Sequence, residues 1–131
     1  MKLIIGLLAT CLLTLSGCQD RYPLKVDYET ASIQILGQEK CFINQEDNAW
    51  LVSLTPIDPG KEYGVEIVYN GTTYANVVRV KHDLSKEYEN SSVKHYFEFY
   101  TDAPQTQTCT VEDPETYQAP FIRIKTVIPG G

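Results

Sequence analysis

Chemically distinctive residues are scarce in this 131-residue sequence, which has two histidines, one tryptophan, one methionine and four cysteines. Neither His82 nor His95 sits in a recognisable catalytic spacing, and both read as structural or surface residues. No Gly-x-Ser-x-Gly elbow, His-Glu-x-x-His pair or phosphate-cradling glycine loop occurs. The missing Cys-x-x-Cys argues against a redox pair, and no cysteine–histidine cluster suggests zinc. Basic side chains are also few, 11 against 17 acidic, for a net charge of −6. An acidic surface repels phosphate backbones, so nucleic acid is not an expected partner. No apolar run reaches the about 20 residues that span a bilayer. These deficits predict a protein that binds rather than catalyses, without cofactor or metal.

What is present begins with a leader. Lys2 precedes an apolar stretch from Leu3 to Leu15, interrupted only by Gly6, Thr10, Cys11 and Thr14. A charged start, a short apolar stretch and small residues before a cut describe a secretory signal peptide. Leu15-Ser16-Gly17-Cys18 resembles a bacterial lipobox, which implies cleavage after residue 17 and lipid, including palmitate, on Cys18. Two or more acyl chains anchor stably where one holds only marginally. Gln19 follows the lipidated cysteine and Asp20 comes one later, which by the usual lipoprotein sorting rule favours the outer membrane, facing the periplasm.

Removing residues 1–17 from the 131 leaves 114, one domain by length. Lys2 leaves with the leader, so ten basic and seventeen acidic side chains remain, a charge of −7. Residues 18–29 read as lipid anchor and tether, and residues 30–131 as the folded domain. Cys11 departs and Cys18 is lipidated, leaving Cys41 and Cys109 in a compartment where disulfides persist. Closing the loop between them would remove about 4 kcal/mol of unfolded-state entropy.

From Thr30 onward, short alternating runs are separated by turn residues. Ala31–Leu36 alternates around Ile33 and Ile35, and Lys40–Asn44 places Cys41 and Ile43 on one face. Trp50, Val52 and Leu54 share a side. Tyr63–Tyr69 and Thr72–Lys81 flank Asn70-Gly71, a dipeptide suited to a type I′ hairpin because both residues tolerate positive φ. In Val93–Tyr100, Val93, His95, Phe97 and Phe99 share a face. Thr106–Val111 carries Cys109, and Phe121–Ile128 aligns Ile122, Ile124, Thr126 and Ile128. Roughly seven or eight strands without an amphipathic helix predict an all-β, antiparallel β-sandwich, immunoglobulin-like or transthyretin-like, with one disulfide.

For an interaction surface, the polar loop from Asp83 to Asn90 stands out. Asp83, Glu87, Tyr88 and Glu89 combine negative charge with an aromatic anchor, which suits a basic protein partner. The other tyrosines are favoured in strands as much as at interfaces. The acidic turns at Glu46-Asp47 and around Asp113 match no calcium loop and read as solvated. Asn70-Gly71-Thr72 and Asn90-Ser91-Ser92 match the glycosylation pattern by chance.

Gly17-Cys18, Asp20-Arg21, Ala31-Ser32-Ile33-Gln34, Cys41-Phe42-Ile43 and the turn at Pro59-Gly60 together resemble a family of small enterobacterial-type lipoproteins. These are the type VI secretion immunity lipoproteins of the periplasm. The sequence departs from the family in placing its second cysteine late, at Cys109. The resemblance implies an immunity protein that neutralises a toxin delivered by a neighbouring cell. The competing expectation is a structural or assembly lipoprotein of an envelope complex.

Overall fold

The computed structural model describes residues 27–89, 94–103 and 105–129. The leader, the lipidation position Cys18 and most of the tether lie outside the described residues, as do Asn90–Val93. Six strands form one mixed sheet: β1 (Glu29–Gln38), β2 (Trp50–Pro56), β3 (Val65–Tyr69), β4 (Thr72–Val80), β5 (His95–Tyr100) and β6 (Phe121–Pro129). The only α-helix among the described residues is one turn, α1 (Ser85–Glu89). The described residues are therefore nearly all β, as the alternation predicts.

Pairing carries the sheet around its own core. β1 pairs antiparallel with β2 and β5, β2 with β4, and β5 with β6. A short parallel contact, Arg79↔Phe121 and Val80↔Ile122, joins β4 to β6 and completes the ring. β5 returns beside β1 after the run β1–β2–β4, which is a Greek-key order. The result is a sandwich-like β domain whose facing layers are continuous at both sides. β3 extends β4 beyond the ring. The hairpin forms as its dipeptide predicts: Asn70 and Gly71 have φ of 49° and 81° between the paired Tyr69 and Thr72.

Alternating residues from five strands fill the interior. Ala31, Val52, Leu54, Val78, Val80, Phe97, Phe99 and Ile122 are buried there, with Ile33, Ile35 and Trp50 packed against them. Each large apolar side chain buried this way is worth about 1.5–3 kcal/mol. His95 lies in the same buried row as Phe97 and Phe99. A second cluster lies on the opposite face of β2 and β4, where Leu51, Val77 and Ile67 are covered by Leu36, Tyr69, Tyr74 and Tyr117. Two-sided burial explains the unbroken apolar pairs Leu51-Val52 and Val77-Val78 in a sequence that otherwise alternates.

Three expected features differ. Lys40–Asn44 is not a strand: β1 ends at Gln38 after a register shift between Ile35 and Gly37. Cys41 is fully buried whereas Ile43 is 81% exposed, so they share no face. Thr106–Val111 is also not a strand but part of the long irregular connection between β5 and β6. In β6, a register shift opposite Glu98/Phe99 moves Val127 rather than Thr126 onto the core. One extra residue in a strand reverses the faces beyond it, which leaves Ile128 38% exposed.

The β5–β6 connection is fastened to the β1–β2 connection. Cys41 and Cys109 form the disulfide, with a Cα–Cα distance of 4.4 Å. The bridge therefore joins two connections rather than two facing strands. Lys40 and Glu115 exchange backbone hydrogen bonds of 2.9 and 2.8 Å, and the Thr110 N–H donates to the Cys41 carbonyl at 2.7 Å. Glu39, fully buried, accepts from the Tyr117 N–H at 2.7 Å and from Gln107 Nε2 at 3.2 Å. Its Oε1 lies 3.7 Å from Arg79 Nη1. Arg79 in turn donates to the Ala119 carbonyl at 2.6 Å and stacks 4.1 Å over the Phe121 ring.

A second polar contact ties the start of β1 to the segment before β3. The Tyr63 hydroxyl donates to Glu29 Oε2 at 2.7 Å, and Lys61 Nζ lies 3.3 Å from the same oxygen. The Tyr63 hydrogen bond, helped by Lys61 against partial burial, holds the Glu29 pKa below 4.5. A carboxylate with a depressed folded-state pKa stabilises above its unfolded pKa, and that stability is lost as pH falls through the folded value. In thermal melts against pH, the native chain should exceed Glu29→Gln in stability at neutral pH. The difference should shrink as pH falls below the ordinary glutamate value. A difference that grew with acid would contradict this contact.

Candidate functional site

The β1–β2 connection, residues 39–49, is braced by its own side chains. Asn48 Oδ1 accepts the Cys41 and Phe42 N–H groups at 2.9 and 2.7 Å. Gln38 Nε2 donates to the carbonyls of Gln45 and Asn48 at 3.0 and 3.1 Å, and Gln45 Nε2 donates to Gln38 Oε1 at 3.1 Å. A single 3-10 turn, Gln45–Asp47, rounds the corner. With the disulfide holding its base, this loop presents Ile43 outward. Lys81 Nζ sits 4.7 Å over the Phe42 ring and donates to the Asp47 carbonyl at 2.8 Å.

Opposite stands α1. Leu84 is fully buried and anchors it to the core. Asp83 Oδ1 accepts the Ser85 N–H at 3.0 Å, an Asx turn that leads into the helical turn. That backbone hydrogen bond, followed by the Ser85 hydroxyl, lowers the Asp83 pKa and keeps the carboxylate charged. The Tyr88 N–H closes the turn on the Leu84 carbonyl at 2.9 Å. Its ring, half-exposed, meets Trp50 with centroids 5.8 Å apart and planes at 45°.

Two clefts share Trp50, Gln38 and Gln45 in their linings. One, of about 650 Å³, is lined by Gln38, Asn44, Gln45, Glu46, Trp50, Asp83 and Ser85. The other, of about 600 Å³, is walled by Phe42, Ile43, Trp50, Tyr88 and Val111, with Lys40 and Asp113 among its polar lining. Apolar side chains exposed at a polar rim are the composition of a protein-binding surface.

Of the residues singled out by sequence, Asp83 and Tyr88 meet here, one in each cleft. Glu87 lines neither; its Oε2 is sheltered from solvent without a hydrogen-bond partner among the described residues. Glu89 ends α1, and its side chain lies outside the described residues. Sequence reasoning missed Trp50, Phe42, Ile43 and Glu46 as site residues. Trp50, as the sole tryptophan, was the available signal; Ile43 gave none, because its neighbours alternate as in a buried strand. The tyrosines mostly serve the fold: Tyr69 and Tyr117 pack at 5.9 Å over the second cluster, and burial raises both pKa values.

Among the described residues no group of three or more histidine, cysteine, aspartate or glutamate side chains is placed to hold a metal. Nor is any described helix long and apolar enough to cross a membrane. Compared with family models, curated proteins and solved structures, the chain matches none.

Proposed function

We propose that this chain is a lipoprotein, anchored to the bacterial envelope through Cys18 and facing the periplasm, that acts by binding a basic protein. Neutralising a secreted toxin is the activity this reading favours, since an immunity protein needs only a complementary surface with a few buried anchors. The observation that carries it is the paired cleft around Trp50. There a hydrogen-bonded loop and a helical turn entered through an Asx turn hold Ile43 and Tyr88 exposed beside Glu46, Asp83 and Asp113. An acidic rim accelerates encounter with a basic partner, and desolvated aromatic anchors supply affinity. The acidic net charge acts in the same direction.

One observation favours the second reading, an assembly lipoprotein of an envelope complex. Among the described residues β3 pairs only with β4, and it carries the exposed side chains Val65 and Val68, which suits strand addition at its other edge. Capture on the full lipidated chain, from envelope extracts and from candidate basic toxins, separates the two. Capture of one toxin with loss of its activity supports immunity. Capture of membrane-complex subunits supports assembly.

A further inference from the structure

Trp50, Gln38 and Gln45 are shared by the linings of two clefts. One is also lined by Glu46 and Asp83, with no lysine or arginine among the described residues of its lining. The other adds Phe42, Ile43, Tyr88 and Val111, beside polar residues that include Lys40 and Asp113. Carboxylates beside an indole suit a guanidinium better than any other common group. Its plane stacks on an aromatic face, its N–H fork matches carboxylates, and its weak hydration lowers the cost of leaving water. An ammonium lacks the plane and the fork, and it holds its water more tightly.

We propose that the cleft lined by Glu46 and Asp83 is an arginine-recognition pocket: an arginine of the partner lies against Trp50 and pairs with both carboxylates, while an adjoining apolar residue enters the Ile43–Tyr88 cleft. This deepens the protein-binding reading and rests on it. Positioning is already in place. The Ser85 N–H fixes the Asp83 carboxylate, and the Gln38–Gln45 amide pair braces the loop that carries Glu46. The Tyr88 ring, 5.8 Å from Trp50, limits how far the indole can turn. The pocket therefore asks little ordering of the protein when the arginine arrives.

Trp50 is the only tryptophan in the chain, so its fluorescence reports this site alone. The full chain in detergent would be titrated with the peptide Gly-Arg-Leu and with the same peptide carrying citrulline, which keeps the shape and loses the charge. The arginine peptide should give a saturable change in Trp50 emission. Citrulline should weaken apparent binding about tenfold, as should the double variant Glu46→Gln/Asp83→Asn, whose melting temperature serves as a folding control. A Gly-Lys-Leu peptide should bind more weakly than Gly-Arg-Leu.

Equal response to arginine and citrulline, or no saturable response to arginine, overturns the proposal. If a captured partner still binds the chain while Gly-Arg-Leu does not, the arginine pocket falls and the protein-binding reading stands. If neither binds, both fall.

Discussion

Glu39→Ala should cost about 3–5 kcal/mol of folding stability, the range for removing one partner of a buried ion pair. Three groups lose their acceptor at once: the Arg79 guanidinium, Gln107 Nε2 and the backbone N–H of Tyr117. Arg79 cannot escape to water, because its side chain is only 16% exposed and is clamped between the Ala119 carbonyl and the Phe121 ring. Small domains are stable by about 5–15 kcal/mol, so the variant should lie near the edge of folding. Glu39→Gln keeps the volume and one acceptor oxygen and should lose less, about 1–3 kcal/mol. Urea unfolding followed by Trp50 fluorescence measures both. A Glu39→Ala variant within about 0.5 kcal/mol of the native chain, the scale of a neutral surface change, would show that this network does not hold the β5–β6 connection.

Replacing both Cys41 and Cys109 by serine should cost about 4 kcal/mol, set by a closed loop of 68 positions. The loss arises mainly in the unfolded chain, which gains freedom once the cross-link is gone. The folded state also changes, since the disulfide holds the base of the loop that presents Phe42 and Ile43. Proteolysis of the folded variant should therefore cut first within residues 39–49 or 105–115, where the native chain resists. The backbone bonds of Lys40 with Glu115 and of Thr110 with Cys41 remain, so the six-strand sheet should persist. Unchanged stability by chemical denaturation under non-reducing conditions would contradict the cross-link's role.

Much of the sheet was legible because it depends on neighbours in sequence. Asn70-Gly71 marks a turn whatever surrounds it, and the alternation in His95–Tyr100 survives as a strict buried and half-buried pattern. The Cys41–Cys109 pairing follows from counting the thiols that remain if the leader departs and Cys18 is lipidated. Elsewhere the local pattern misled. Cys41 and Ile43 alternate like a strand, yet the strand has already ended after a register shift, and the disulfide rather than a sheet holds Cys41 inside. Glu39 looks like a surface residue, and only partners 68 and 78 positions away make it a buried one. The parallel β4–β6 contact comes from closing the ring and leaves no mark in either strand.

The candidate site divides the same way. Asp83 and Tyr88 stood out because charge and an aromatic ring fall together in one polar loop. Their counterparts, Ile43 and Glu46 from the β1–β2 connection and Trp50 at the start of β2, are brought alongside by the core beneath Leu84. At Gly37, which lines the Ile43–Tyr88 cleft, a Cβ would overlap the Tyr69 side chain that crosses it from β3. No periodicity in the sequence records such a meeting of side chains.

The most direct test of the account is the affinity of a captured partner for variants on and off the clefts, measured by calorimetry. Tyr88→Ala and Ile43→Asp should each weaken binding by about thirtyfold, or 2 kcal/mol, while leaving the melting temperature nearly unchanged. Val68→Asp, on the open edge of β3, should leave affinity within about twofold of the native chain. The opposite result, full affinity in Tyr88→Ala and Ile43→Asp with binding lost in Val68→Asp, would contradict the cleft as the binding surface and assign that role to the β3 edge.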